Sequence, residues 1–193
     1  MTQYARPDSD VDNQSDAWTN SDGGAPENTL YTYINGTVPC PGDPPVCNYV
    51  AGSDDECSGE GVYFTVELPE VDDPESSSSH AMKFYGRVES AESDLWTKIE
   101  LMKDVGGAEE AVIATKTISD PDDTSAPGTL YTHNLSTSEA NDIDDYTDLS
   151  LRIYFGDDGC MGVNFQVYQA WFECPDAPTP SATTSPAFLL FVD

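Results

Sequence analysis

Five cysteines are the side chains in this sequence best suited to covalent or metal chemistry. Three of them fall within one Pro- and Gly-rich loop, residues 35–61, where a local disulfide is expected, and the other two flank a later strand. The pairing is open, and with an odd number one thiol must remain. Six residues separate the first two cysteines and no histidine is near, so the spacing disfavours a zinc site. The candidate disulfide residues are Cys40, Cys47, Cys57, Cys160 and Cys174.

Aspartates near the N-terminus are spaced like the first ligands of a calcium-binding loop. Asp8, Asp10 and Asp12 alternate as those ligands do, but Asn13 occupies the position that requires glycine, and Thr19 stands where a glutamate must close the loop. Other aspartate pairs are expected by chance among 36 acidic residues. We therefore predict no metal ion and no cofactor.

Acids and histidines that could catalyse hydrolysis lack a supporting context. Each strand glutamate that could serve in a glycosidase pair has a basic neighbour that explains it. His80 lies in a Ser-rich turn and His133 in a strand, and neither belongs to a nucleophile or metal pattern. We predict no catalytic residues and no enzyme activity. The glutamates considered are Glu67, Glu89 and Glu100.

The charge of the chain is its strongest compositional feature. Only seven lysines and arginines oppose 36 acids, which gives a formal net charge of −29. Phosphate recognition needs clustered cations, so nucleic acid is excluded as a partner and anionic membranes are disfavoured. Because salt of about 1 M shortens the screening length to about 3 Å, such a chain suits concentrated salt. We expect a halophilic protein that loses stability in dilute buffer.

Alternating apolar and polar residues predict β-strands along most of the chain. The clearest runs are residues 148–155 and 163–174, joined by a GDDGCMG loop. Because Asp158 and Gly159 stand where the chain must reverse, we expect these two runs to pair as an antiparallel hairpin. The other predicted strands are residues 30–34, 61–71, 81–90, 95–103, 111–119 and 129–135.

One short helix is predicted before the last pair of strands. Ser136 and Glu139 have the spacing of a capping box, and Ala140 and Ile143 give the helix an apolar side. About eight strands and one helix predict an all-β antiparallel sandwich of jelly-roll-like type, with an immunoglobulin-like order as the next choice.

Both ends of the chain differ in composition from its centre. Residues 1–28 are predicted to be an N-terminal arm, and residues 29–175 the sandwich domain with its Cys-bearing loop. Residues 176–193 are a Pro/Ser/Thr linker and an apolar strand that we expect to dock on its own sheet or on another subunit. No signal peptide or membrane span is predicted. The inter-subunit strand would consist of Phe188, Leu189, Leu190, Phe191 and Val192.

Three separated motifs carry a resemblance to a known group of proteins. They are ARPDSDV followed by Trp18 and LYTYI, then FTVELPEVDDP with SSSSHAMKFYGRV, and last LSTSEANDIDDYTDLSLRIYF leading to QVYQAWFECP. Together they resemble small structural proteins, capsid decoration or head proteins, of tailed phages and tailed haloarchaeal viruses. The Cys-bearing loop and the tail after Pro175 depart from that pattern.

The resemblance implies a structural virion protein that decorates or stabilises the capsid exterior as a decoration or turret component. Its implied partners are the major capsid protein and copies of itself in a homo-oligomer, assembled in the host cytoplasm. The alternative is a receptor- or glycan-binding module on a head or tail fibre. That module would use the long loop, residues 35–61, together with Tyr31, Tyr33 and Tyr49.

Overall fold

A computed structural model describes residues 2–13, 18–20, 30–34, 49–53, 61–125, 128–159 and 162–179. Over these ranges the chain forms eleven strands and two short helices. The strands are β1 (Thr2–Ala5), β2 (Ser9–Asn13), β3 (Trp18–Asn20), β4 (Val50–Ser53), β5 (Val62–Glu67), β6 (Ala81–Val88), β7 (Leu95–Lys103), β8 (Ala111–Ser119), β9 (Thr129–Asn134), β10 (Leu149–Asp157) and β11 (Asn164–Pro175). The helices are α1 (Tyr31–Ile34) and α2 (Thr137–Asn141).

The strands form two antiparallel sheets that pack face to face. Sheet A has six strands in the order β3-β4-β11-β6-β9, with β1 also paired to β11. Sheet B has five strands in the order β2-β5-β10-β7-β8. The predicted all-β, jelly-roll-like antiparallel sandwich is confirmed. The described residues hold more than the expected eight strands because β1 to β4 are too short to show an alternating pattern.

Aromatic residues from both sheets fill the space between them. The rings of Phe155 on β10 and Phe165 on β11 stack across the core with centroids 5.4 Å apart. Trp18 is completely buried, with its ring 4.7 Å from that of Phe64. A Cβ atom on Gly52 would lie 2.5 Å from the Trp18 indole, so this strand position requires glycine.

The predicted hairpin between residues 148–155 and 163–174 is wrong. β10 pairs with β5 and β7 in sheet B, whereas β11 pairs with β1, β4 and β6 in sheet A. The loop after Asp157 therefore carries the chain from one sheet to the other. The physical reason is burial: nearly every residue of β11 is buried, and a strand covered on both faces is stable in the centre of a sheet, with a neighbour on each side.

The strand predicted over residues 30–34 is a helix. Leu30 and Ile34 are both buried and stand four residues apart, which places them on one side of a helix. The Asp10 carboxylate accepts hydrogen bonds from the backbone N–H groups of Leu30 and Tyr31, the latter at 2.7 Å. A side chain distant in sequence thus satisfies the N–H groups at the start of the helix, which no local pattern reveals.

The segment predicted as an N-terminal arm, residues 1–28, belongs to the sandwich wherever it is described. β1 pairs with the end of β11, β2 with β5 and β3 with β4. Ala5 is buried in the core, as Trp18 is. Strand pairing uses backbone groups, so a polar segment can join a sheet edge without an apolar face of its own.

The predicted capped helix is confirmed as α2. The Ser136 hydroxyl accepts from the Glu139 backbone N–H at 3.3 Å, and the Glu139 carboxylate accepts from the Ser136 N–H at 2.7 Å. Ala140 and Ile143 are buried as expected. The reciprocal bonds fix the point at which the chain turns toward β10.

Several predictions fall on parts of the chain that are only partly described. Of the loop 35–61, Val50–Ser53 form β4, which lies between β3 and β11 in sheet A. The predicted inter-subunit strand, residues 188–192, lies outside the described residues, as do four candidate disulfide residues, Cys40, Cys47, Cys57 and Cys160. Cys174 is a buried free thiol, and burial raises its pKa to about 11.

In the described ranges, no helix has the length and apolar character needed to cross a membrane.

His80 is a buried histidine directly before β6. His80 Nε2 is 2.8 Å from the Tyr146 hydroxyl oxygen, and the imidazole also contacts the ring of Phe172. Burial lowers the pKa of His80 and raises that of Tyr146 to about 12. Both groups are therefore neutral near pH 7.

This burial predicts a loss of stability in mild acid. Because the pKa of His80 is lower in the folded chain than the usual value of about 6.5, its stabilising effect is full above that pH and declines below it. The slope is at most about 1.4 kcal/mol per pH unit. Denaturant unfolding at pH 7.5 and pH 5.5 should show a larger loss for the natural chain than for His80→Gln. Equal losses in the two proteins would contradict this assignment.

Candidate functional site

The outer face of sheet B carries three large aromatic side chains on neighbouring strands. Trp96 lies on β7, Tyr154 on β10 and Tyr63 on β5. Phe155 and Leu95 point into the core, so the residues next to them along the strands point outward. We call Trp96, Tyr154 and Tyr63 the aromatic strip. In the strand register, Tyr154 stands beside Tyr63, and Trp96 stands beside Gly156 one row further along β10.

Two glycines let the Trp96 indole lie flat on the sheet. A Cβ atom on Gly156 would be 2.2 Å from Cε2 of the indole, and one on Gly61 would be 2.6 Å from Cη2. Any larger residue at either position would therefore push the ring away from the backbone. Gly61 also has a φ of +71°, which favours glycine independently. The backbone at Gly156 and Gly61, which carries no side chain, contacts one face of the ring, and we call this surface the seat of Trp96.

The Trp96 indole is hydrogen-bonded through its N–H group and stays partly exposed. Its Nε1–H donates to Asp158 Oδ1 at 3.2 Å, which fixes the rotation of the indole. Considering only the residues that the structure describes, no aromatic ring or cation pairs with this indole. A ring seated on backbone and fixed at its edge presents a flat apolar surface outward.

The two tyrosines differ from Trp96 because cations of the chain already contact their rings. The rings of Tyr154 and Tyr63 have centroids 5.1 Å apart. Lys98 Nζ is 3.7 Å from the Tyr154 centroid, and the Arg152 guanidinium carbon is 4.8 Å from that of Tyr63. These cation–π contacts order the tyrosines next to the tryptophan.

Both cations are also bonded to carboxylates. Lys98 Nζ lies 2.9 Å from Glu100, and an Arg152 guanidinium nitrogen lies 3.1 Å from Glu110. Arg152 Nε also donates to the Thr65 hydroxyl at 2.9 Å. Neither pair joins two strands, because Lys98 and Glu100 both lie on β7 and Glu110 directly precedes β8.

The phenol groups of the strip stay protonated at neutral pH. Burial is the main cause that raises the pKa of Tyr63, followed by a hydrogen bond to Asp12. Burial also raises the pKa of Tyr154, and the charge of Glu100 adds to it. Both hydroxyls can therefore donate and accept hydrogen bonds at the edge of the strip.

The outer face of sheet A also bears aromatic residues, but they are largely enclosed. Trp171 is 8% exposed and Tyr168 is 3% exposed. The Trp171 ring contacts Tyr85 and lies under Arg6, while its Nε1–H donates to Glu173. Little of these rings is accessible to a ligand, so sheet B holds the stronger candidate.

Most of the loop predicted to form a glycan site, residues 35–61, lies outside the described residues, whereas the three tyrosines predicted with it are described. Tyr31 and Tyr33 lie on α1 and pack, partly buried, against the core. Tyr49 pairs with the buried ring of Tyr168 at 5.5 Å beside sheet A. The aromatic strip was missed because its members are far apart in sequence and only strand register aligns them. The available signal was Gly156 on β10 and Gly61 directly before β5, both of which lie against the Trp96 ring.

The residues considered for catalysis or metal binding are dispersed. Glu67 and Glu100 lie on sheet B, whereas Glu89 follows β6 of sheet A, where it accepts from the Asn164 and Gln166 side-chain amides. His133 lies 3.1 Å from Glu139 at the start of α2. No group of three metal-binding side chains occurs within the described ranges.

Comparison with known proteins finds similarity only among solved structures. No family model and no curated protein matches the sequence. A xylan-binding module, CBM15, is 10% identical over 92% of this chain and 99% of its own, with a TM-score of 0.43. TmCBM61, solved with β-1,4-galactotriose, is 10% identical over 91% and 88%, with a TM-score of 0.39. The cleaved adhesin domain K3 of Lys-gingipain from Porphyromonas gingivalis is 11% identical over 90% and 99%, with a TM-score of 0.40.

These similarities extend over most of the chain but are low. Each is 10–11% identical to this chain with a TM-score of 0.39–0.43, so none bears on which residues bind a ligand. The functional interpretation therefore depends on the geometry of the aromatic strip.

The seat beneath Trp96 predicts an energetic coupling between two residues. Gly156→Ala should destabilise the natural chain because the new methyl group displaces the indole, and should cost much less in a Trp96→Ala background. A double-mutant cycle measured by urea unfolding should give a coupling energy of about 0.5–3 kcal/mol. Additive costs would show that the ring does not occupy this seat.

Proposed function

We propose that this protein is a glycan-binding β-sandwich that holds sugar rings against Trp96. The observation that carries the proposal is the indole lying flat on Gly156 and Gly61 with its other face directed away from the sheet. One face of a pyranose ring consists mainly of C–H groups, which pack against the electron-rich face of an aromatic ring. A flat, fixed and partly exposed indole on a rigid sheet is suited to that contact.

Polar groups around the strip match the hydroxyl groups of a sugar. Asp158 lies at one edge of the indole, and Tyr63 and Tyr154 stand one row away along the strands. Carboxylates accept hydrogen bonds and phenols both donate and accept, so each can bond to sugar hydroxyls. An apolar platform with a few ordered polar groups is typical of small-ligand sites.

Other ligands that stack on aromatic rings fit this surface less well. Nucleic acid brings phosphates, which a chain of net charge −29 repels. The tyrosine rings are already in contact with Lys98 and Arg152, so they are not open to a cationic ligand. A neutral ligand with an apolar face remains the best match.

We propose binding without a reaction, since a glycosidase needs two carboxyl groups placed across one bond. Glu100 and Glu110 are engaged with Lys98 and Arg152, and each is close to its cation. The expected location on a virion, as a decoration protein or as a module of a head or tail fibre, stays a prediction. Glycan binding is compatible with the fibre alternative, in which the module would attach a particle to a host surface.

The test is affinity gel electrophoresis of the full chain and of three variants. The gels contain xylan, mixed-linkage β-glucan or β-galactan. At least one polysaccharide should retard the natural chain, and Trp96→Ala should weaken that binding by about 5- to 150-fold. This range corresponds to the roughly 1–3 kcal/mol that ring stacking contributes in other platforms. Trp96→Phe should retain part of the affinity.

Thr117→Ala is the matched control, because Thr117 is exposed on β8 next to Lys98 in the strand register. It should bind like the natural chain. Each variant is first checked by its urea unfolding curve, so that lost binding is separated from lost folding. A polysaccharide that retards the natural chain and Trp96→Ala equally would overturn the proposal.

A further inference from the structure

We infer, as an extension of the proposed function, that the aromatic strip binds uncharged polysaccharides and rejects those bearing carboxylate or sulfate groups. The charges that surround the strip, and not the stacking on Trp96, give this selectivity. It depends on glycan binding at Trp96, and it specifies the class of glycan that this surface accepts.

Carboxylates outnumber cations around the strip. Lys98 and Arg152 are the basic side chains in contact with its rings. The acidic groups bonded to the strip or to its cations are Asp12, Glu100, Glu110 and Asp158. An anionic sugar placed on the indole would therefore meet a surface of its own sign, within a chain of net charge −29.

The two cations are poorly placed to bind a ligand anion. The Arg152 side chain is only 13% exposed, and its Nε and one terminal nitrogen already donate to Thr65 and Glu110. Lys98 is bonded to Glu100 and faces the Tyr154 ring. An anionic ligand would have to displace a carboxylate from each cation, and the displaced carboxylates would remain beside it.

Neutral sugars avoid this conflict. Their hydroxyl groups can donate to Asp158 and accept from the phenols without a change in ion pairing. Anionic glycans are then rejected by repulsion from the carboxylates around the strip, while stacking on Trp96 supplies the affinity for neutral glycans. Specificity of this kind needs no contact with the rejected ligand.

The experiment is isothermal titration calorimetry with two sets of polysaccharides at 0.15 M and 1 M NaCl. The neutral set is xylan, mixed-linkage β-glucan and β-galactan, and the anionic set is polygalacturonate and heparin. The natural chain should bind a neutral polysaccharide with little dependence on salt and should give no heat with either polyanion at 0.15 M NaCl.

A double variant, Glu100→Gln with Glu110→Gln, releases both cations from their carboxylates. It should gain binding to polygalacturonate at 0.15 M NaCl, lose that binding at 1 M NaCl, and keep its affinity for the neutral polysaccharide. The control, Glu70→Gln with Glu75→Gln, changes the net charge equally on exposed residues between β5 and β6 and should gain nothing.

The outcomes separate the inference from the proposed function. If polygalacturonate binds the natural chain as tightly as a neutral polysaccharide and Trp96→Ala abolishes both, the inference is overturned while glycan binding stands. If the control variant gains as much as the double variant, net charge and not the local carboxylates excludes anions, and the inference is overturned. If no polysaccharide binds, both proposals fail.

Discussion

The contact between Phe155 and Phe165 joins the two central strands of the sandwich. β10 and β11 follow each other in the chain but lie in opposite sheets, and these stacked rings bring them together across the core. Once Phe155 points inward, strand alternation makes Tyr154 and Gly156 point outward. The outer face of sheet B is therefore determined by the same residue that closes the core. A substitution that shifts Phe155 in the core would therefore also shift its outward-facing neighbours, Tyr154 and Gly156.

The candidate site combines a bare backbone with a large ring. Glycines in strands usually weaken a sheet, because glycine loses more conformational entropy on folding than other residues and has no side chain to pack. Here the indole of Trp96 covers Gly156 and Gly61 and shields their backbone, which recovers part of that loss. The same arrangement exposes a fixed apolar surface. A stabilising role and a binding role are thus served by one contact, and variants at Trp96 need both stability and binding readouts.

Sequence predicted the elements of this fold better than their pairing. Alternation located β5 to β11, and the Ser136 and Glu139 spacing predicted α2, because both signals are local. The hairpin prediction failed because alternation shows which residues are buried but not which sheet a strand joins. Helix α1 was missed because its cap is Asp10, about twenty residues earlier in the chain. The aromatic strip was missed for the same reason: strand register, not sequence distance, brings Trp96, Tyr154 and Tyr63 together.

The most direct measurement is a ¹⁵N-¹H NMR titration that follows the indole N–H signals of the three tryptophans. Trp18 lies in the core, Trp171 on the enclosed face of sheet A and Trp96 on the aromatic strip. The ligands are soluble oligosaccharides of xylan, β-glucan and β-galactan. One of them should shift the Trp96 signal in a saturable way, while the signals of Trp18 and Trp171 stay in place. A shift of the Trp171 signal with no change at Trp96, or no shift with any of these ligands, would contradict glycan binding at Trp96.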